Sequence, residues 1–84
     1  MFMNFRKVKL SGLLSKVFNF TERSINKNDS PETIAGWDSF KALIMIQELE
    51  IAANGKFEIE DLKDIRTVED ITRLLDKYKI PYEL

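Results

Sequence analysis

Cysteine and histidine are both absent from the 84 residues. Their absence removes disulfides, thiol nucleophiles, Cys/His zinc sites and Ser-His-Asp catalysis from the chemistry open to the chain. No apolar run approaches the roughly 20 residues that a membrane-spanning helix needs. The N-terminal Met1-Phe2-Met3-Asn4-Phe5-Arg6-Lys7 does not lead into a signal-type apolar segment, because Lys9, Ser11, Ser15 and Lys16 break up the apolar residues downstream of it. A cytoplasmic protein without membrane insertion is therefore expected. Repeats, low-complexity stretches and linkers are also lacking, so 1–84 reads as one domain, with 1–5 an N-terminal extension and 6–79 a helical bundle.

A large excess of either sign of charge is lacking as well. The formal net charge is −1, with six Lys/Arg against three Asp/Glu in residues 1–37 and seven against eleven in residues 38–84. Six basic residues spread over a helix and a loop form a solvated face, and a pI near 5.4 argues against nucleic acid as partner. The carboxylates Glu58, Glu60, Asp61 and Asp64 lack the alternating ligands, central glycine and closing glutamate of a calcium loop. With 44% hydrophobic residues the chain can bury a core, but a modest one, and a large enzyme pocket is not expected.

What is present is helical periodicity. Leu10, Leu13, Leu14 and Val17 recur at i, i+3, i+4 and i+7, which predicts a first helix over about 6–19, with Phe18 and Phe20 closing the end of the core. From Thr21 to Asp38 the periodicity vanishes and Ser, Asn, Asp, Pro and Gly dominate. That predicts a long connection anchored inward by Ile25 and Ile34, with Ser30-Pro31-Glu32 starting a single turn and Gly36 turning the chain. A second helix is expected from Ser39 to about Ala53, ended by Asn54-Gly55. Its wheel puts Ala42, Met45, Ile46, Leu49 and Ala53 on one face. Phe40, Ile44 and Ile51 fall on roughly the opposite side, with Gln47 between them and Leu43 at the border. Glu60 to Asp64 suits only a short helix, with Leu62 and Ile65 inward. Thr67 caps a last helix striped by Val68, Ile71, Leu74, Leu75 and Tyr78, with Glu69 and Asp70 in its first turn, Lys77 and Lys79 near its end and Pro81 beyond it.

The stretch Gly36-Trp37-Asp38-Ser39-Phe40 stands out because it sets a serine at the mouth of the most apolar helix. There the hydroxyl can serve as a cap, and the free N–H groups and helix dipole favour an anion. The order of a long polar connection, an aromatic, Asp-Ser, an apolar helix, a short segment and a longer amphipathic one resembles the acyl/peptidyl carrier protein family, over roughly Val8 to Tyr78. Phe40 stands where that family usually has Leu or Met, and bulk and apolarity are kept. Gly-Trp-Asp-Ser resembles carriers of dedicated pathways, including those of modular or specialised synthases, more than housekeeping fatty-acid carriers, and the chain is expected to be a specialised discrete carrier.

The resemblance implies an all-α four-helix bundle with three longer helices, a short mobile third one and a long loop between the first two. It implies 4′-phosphopantetheine, transferred covalently from coenzyme A to Ser39, with Asp38 beside it, and acyl or aminoacyl thioesters on the arm. The expected partners are a phosphopantetheinyl transferase and acyl-loading and acyl-processing enzymes, met by a monomer that catalyses nothing itself. By matched position the acyl pocket would be lined by Met45, Ile46, Leu49, Phe57, Leu62 and Ile65, and partners would touch Phe40, Lys41, Ile44, Gln47 and Ile51. The outer face of the second helix keeps one carboxylate, Glu50, so docking is expected to be apolar. Met1, Phe2 and Phe5 could instead cover that face. A different reading needs no modified serine: a non-enzymatic helical interaction module that binds a partner through the apolar face around Ile44 and Ile51.

Overall fold

The computed structural model describes residues 7–20 and 25–84. Its elements in chain order are β1 (Val8–Lys9), α1 (Leu10–Phe18), α2 (Ser39–Ala53), α3 (Ile59–Leu62), α4 (Val68–Lys77) and β2 (Tyr82–Glu83). The four helices, one of them very short, follow the predicted order, and the long connection lies between α1 and α2. The expected N-terminal extension lies outside the described residues, and so does any cover that Met1, Phe2 and Phe5 could provide.

Two ends depart from expectation. Helix α1 begins at Leu10, not near residue 6, because Val8 and Lys9 run extended and pair in parallel with Tyr82 and Glu83. The Val8 N–H donates to the Pro81 carbonyl at 2.9 Å, and the β-branched Val8 side chain is buried. Past α4, Lys79 turns left-handed and the Ile80 N–H bonds the Leu75 carbonyl at 2.8 Å, which drives Ile80 into the core. The residues beyond 79 thus belong to the fold and tie the segment after α4 to the segment just before α1.

Helix α2 has the predicted bounds, and Met45, Ile46, Leu49 and Ala53 make its buried face. It stops where Asn54 adopts φ +55°, with its N–H bonded to the Glu50 and Ile51 carbonyls. Asparagine tolerates that conformation, so Asn54 rather than Gly55 is the left-handed residue. Helix α4 opens on a reciprocal cap, in which the Thr67 hydroxyl accepts from the Asp70 N–H and the Asp70 carboxylate accepts from the Thr67 N–H at 3.0 Å. Its apolar stripe of Val68, Ile71, Leu74 and Leu75 is buried against Leu10, Leu14, Met45 and Leu49 in one core.

The connection before α2 is held at both levels. Ile25 and Ile34 are buried as anchors, and Phe18 stacks on Trp37 with ring centroids 5.5 Å apart. Between them sits a buried acid, Asp29, whose carboxylate accepts from the Asn26 N–H at 2.9 Å and the Thr33 hydroxyl at 2.8 Å. Its carbonyl accepts from the Val68 N–H at 2.9 Å, and the Lys27 carbonyl accepts from the Glu69 N–H at 3.1 Å. The loop therefore satisfies N–H groups that the start of α4 leaves open, which ties it to that helix. The predicted turn at Ser30-Pro31-Glu32 forms: the Ser30 carbonyl accepts from Thr33 and Ile34, and its hydroxyl accepts from Glu32.

Candidate functional site

Everything converges on the first turn of α2. Gly36 has φ +87°, a conformation that side-chain-bearing residues avoid, and it brings Trp37 inward and Asp38 outward. Asp38, with extended backbone, is the N-cap: its carboxylate accepts from the Lys41 N–H at 2.8 Å, and its carbonyl accepts from the Ala42 N–H at 2.8 Å. Ser39 is therefore the first residue of the helix and not its cap. Its side chain is exposed, and among the described residues its hydroxyl has no hydrogen-bond partner. The N–H groups of Ser39 and Phe40 are likewise open among the described residues, beside the positive end of a 15-residue helix.

Ser39 stands on the wall of an open cleft of about 710 Å³. Its lining includes the apolar Trp37, Ala42 and Ile65 together with the polar Ser30, Glu32, Thr33, Asp38, Arg66 and Thr67. Ser30 and Thr67 could be read from the sequence only as a turn start and a cap, and Thr33 and Arg66 not at all, because polar side chains on loops leave no periodic signal.

The six expected pocket residues are together, but as core. Met45, Ile46, Leu49 and Phe57 are buried, while Leu62 and Ile65 are half-buried against them. Over them lies α3, fastened from one side by a polar cluster. The Asp61 carboxylate accepts from both the Lys77 ammonium and the Tyr78 hydroxyl, and the Tyr78 oxygen accepts from the Glu58 N–H at 3.3 Å. These bonds, first from Lys77 and then from Tyr78, hold the Asp61 carboxyl below the ordinary carboxylate range. The same contacts with Asp61 push Lys77 and Tyr78 above their ordinary values.

The expected partner face needs correction. Phe40 and Ile51 are exposed, at 70% and 68%, and Gln47 is exposed too. Ile44, however, is half-buried against the core, and Leu43, expected at the border, is 70% exposed. Lys41 is half-buried, and its ammonium donates to the Val17 carbonyl at 3.3 Å near the end of α1, where a cation suits the dipole. Glu48 pairs with Lys16 on α1 at 3.1 Å, so the side of α2 that carries 41, 44 and 48 faces α1. Glu50 turns inward to accept from the Phe57 N–H at 2.9 Å. The outward stripe is thus Phe40, Leu43, Gln47 and Ile51, without a carboxylate, and Ile59 on α3 is exposed as well.

No protein-family model matches the chain, and no curated protein matches it either. Solved structures do. One is Rv0033 of Mycobacterium tuberculosis, assigned as an acyl carrier protein, with 25% identity and a TM-score of 0.68 over 80% of this chain and 89% of that one. Another is the solution NMR structure of the holo acyl carrier protein of Geobacter metallireducens, with 28% identity and a TM-score of 0.71 over 81% of this chain and 78% of that one. In both cases the shared helical bundle spans about four-fifths of this chain, which is thus similar in fold to these acyl carrier proteins and itself carries Asp-Ser at the head of its second helix.

Proposed function

We propose that the chain is an acyl carrier whose Ser39 hydroxyl carries 4′-phosphopantetheine. The observation that carries this reading is the division of labour at the head of α2. Asp38 caps the helix, and that leaves the Ser39 Oγ exposed and spare for a covalent bond. In a transferase the Ser39 Oγ would lose its proton and take up the phosphopantetheinyl group of coenzyme A, with departure of the nucleotide half. The open N–H groups of Ser39 and Phe40 and the dipole of α2 favour the negative charge placed there. When attached, the group supplies a terminal thiol that holds acyl or aminoacyl chains as thioesters for partner enzymes.

The chain's own contribution is to present, and not to react. An extended arm on a compact bundle raises the local concentration of its cargo at each partner. The packed residues Met45, Ile46, Leu49, Phe57, Leu62 and Ile65 can shelter an aliphatic cargo only in a state in which α3 has moved, since Met45 and Leu49 are fully buried as they stand. Partners dock on the exposed α2 stripe of Phe40, Leu43, Gln47 and Ile51. Co-expression with a promiscuous phosphopantetheinyl transferase tests the reading. Intact mass is expected to rise by one phosphopantetheine in the wild type and not in Ser39→Ala.

A further inference from the structure

A second groove, of about 380 Å³, lies between β1, the first turns of α1 and the last turns of α2. Its apolar lining includes Leu13, half-buried, and Ile51, which is 68% exposed, and three exposed lysines, Lys7, Lys9 and Lys16, stand around them. Among the described residues the one carboxylate that lines the groove, Glu48, is already paired with Lys16 at 3.1 Å. Helix α1 also begins here with no acidic residue in its first turn and no side chain that caps it among the described residues, so its positive end adds to the same sign. Ile51 lies more than three turns of α2 beyond Ser39, about 18 Å along the axis at 1.5 Å per residue.

We propose that this groove is a docking site for an acidic segment of a partner protein, which seats an apolar side chain between Leu13 and Ile51 and sets carboxylates against the three lysines. Charge complementarity selects this occupant. The chain's own residues 1–6 include Arg6 and no carboxylate, so they bring the wrong sign. A second copy could offer the exposed Ile59 between Glu58 and Glu60, but joining that patch to this groove is a head-to-tail contact that does not close on itself. Unlike docking on the α2 stripe, this contact is led by charge. Its use rests on the assignment of Ser39, although the docking itself does not: a partner that grips this end holds the carrier nearby while the head of α2 stays free for an enzyme, which raises the local concentration of the cargo.

The test is an NMR titration of the full, unmodified, isotope-labelled chain with a short peptide of glutamates around a central Leu-Phe pair, and with the same peptide carrying glutamines for the glutamates. The acidic peptide is expected to shift the signals of Gly12, Leu13 and Ile51 and to leave those of Ser39 and Phe40 in place. Added salt weakens it, and the double variant Lys7→Glu, Lys16→Glu weakens it by at least about tenfold, as reversal of two exposed charges implies. Lys63→Glu, an exposed lysine outside the groove, leaves it unchanged. An equal response to the glutamine peptide, shifts confined to the head of α2, or no shifts overturn the proposal. So do contacts from Phe2 or Phe5 to Leu13 in the peptide-free chain, sedimentation that shows self-association lost in the double variant, or the same shifts with phosphatidylglycerol vesicles and none with the peptide. Because the chain is unmodified, these results are independent of whether Ser39 accepts phosphopantetheine, which intact mass reads separately.

Discussion

Two neighbouring side chains with similar helix-start preferences have different tasks at the head of α2, and their substitutions separate those tasks. Asp38→Ala removes the acceptor of the Lys41 N–H and is expected to lower stability by about 0.5–2 kcal/mol in urea unfolding. Ser39→Ala replaces an exposed first-turn residue whose hydroxyl makes no bond among the described residues, so its effect on stability is expected to stay within about 0.5 kcal/mol. A reversed order of the two would move the cap to Ser39. At Gly36 a Cβ would meet no atom within 4 Å, so Gly36→Ala isolates the backbone cost of φ +87°. A loss of about 1–2 kcal/mol is expected there. Sequence alone offered the Ser39 hydroxyl as a cap, since Asp and Ser both lead the N-cap ranking and nothing in it ranks one above the other. Only the extended backbone of Asp38 and the bond to Lys41 separate them.

Among the elements, α3 is the weakest, four residues long with no buried side chain. A helix of that length holds only through what fastens it. Here the fastening is Asp61, whose side chain is 10% exposed between Lys77 and Tyr78. The sign of its pH dependence comes from the lowered carboxyl: the stabilisation is present above the ordinary pKa of 3.8 and is lost as pH falls through the lower folded value. Lys77 and Tyr78 are raised, so their share is full below their ordinary values of 10.5 and 10.0 and is lost as pH rises through the folded ones. Amide exchange over Ile59–Leu62 is thus expected to be faster than at Leu74 and Leu75, and faster still in Asp61→Asn at neutral pH. Equal protection of α3 and α4, or indifference to Asp61→Asn, would count against this fastening.

The same scale shows what was legible in the chain. Helix α2, the stripe of α4 and the Thr67 cap could be read because each is a periodic or local signal. The pairing of Val8 with Tyr82 could not, since two-residue strands at opposite ends of a chain leave no pattern. Asp29 escaped for a related reason: a buried polar anchor in a loop has no period. Ile44 and Leu43 were exchanged because a wheel fixes angles within one helix but not where its neighbours lie. The contacts of Lys41 and Glu48 with α1 supply that missing orientation.

At the scale of the whole molecule the surface, more than the core, decides how the carrier finds its partners. Large apolar side chains at Phe40, Leu43, Ile51 and Ile59 stand exposed on α2 and α3, and the exposed stripe of α2 bears no carboxylate. Burying one such side chain at an interface contributes about 1.5–3 kcal/mol, whereas an exposed ion pair contributes about 0–1 kcal/mol. Affinity for a cognate enzyme is therefore expected to change little from low to high salt and to fall at least tenfold in Leu43→Glu, about 1.4 kcal/mol. Collapse of binding with salt, together with indifference to Leu43→Glu, would contradict apolar docking.

The proposed attachment turns on one atom, the Ser39 Oγ, and its fate is read most directly by intact mass. Wild type, Ser39→Ala and Asp38→Ala, each co-expressed with a promiscuous transferase, form the decisive set. One added phosphopantetheine on the wild type and none on Ser39→Ala is the predicted result, with the Asp38→Ala chain still modified wherever it remains folded. An unmodified wild type, or an added group that persists on Ser39→Ala at another serine such as Ser30, would contradict the account.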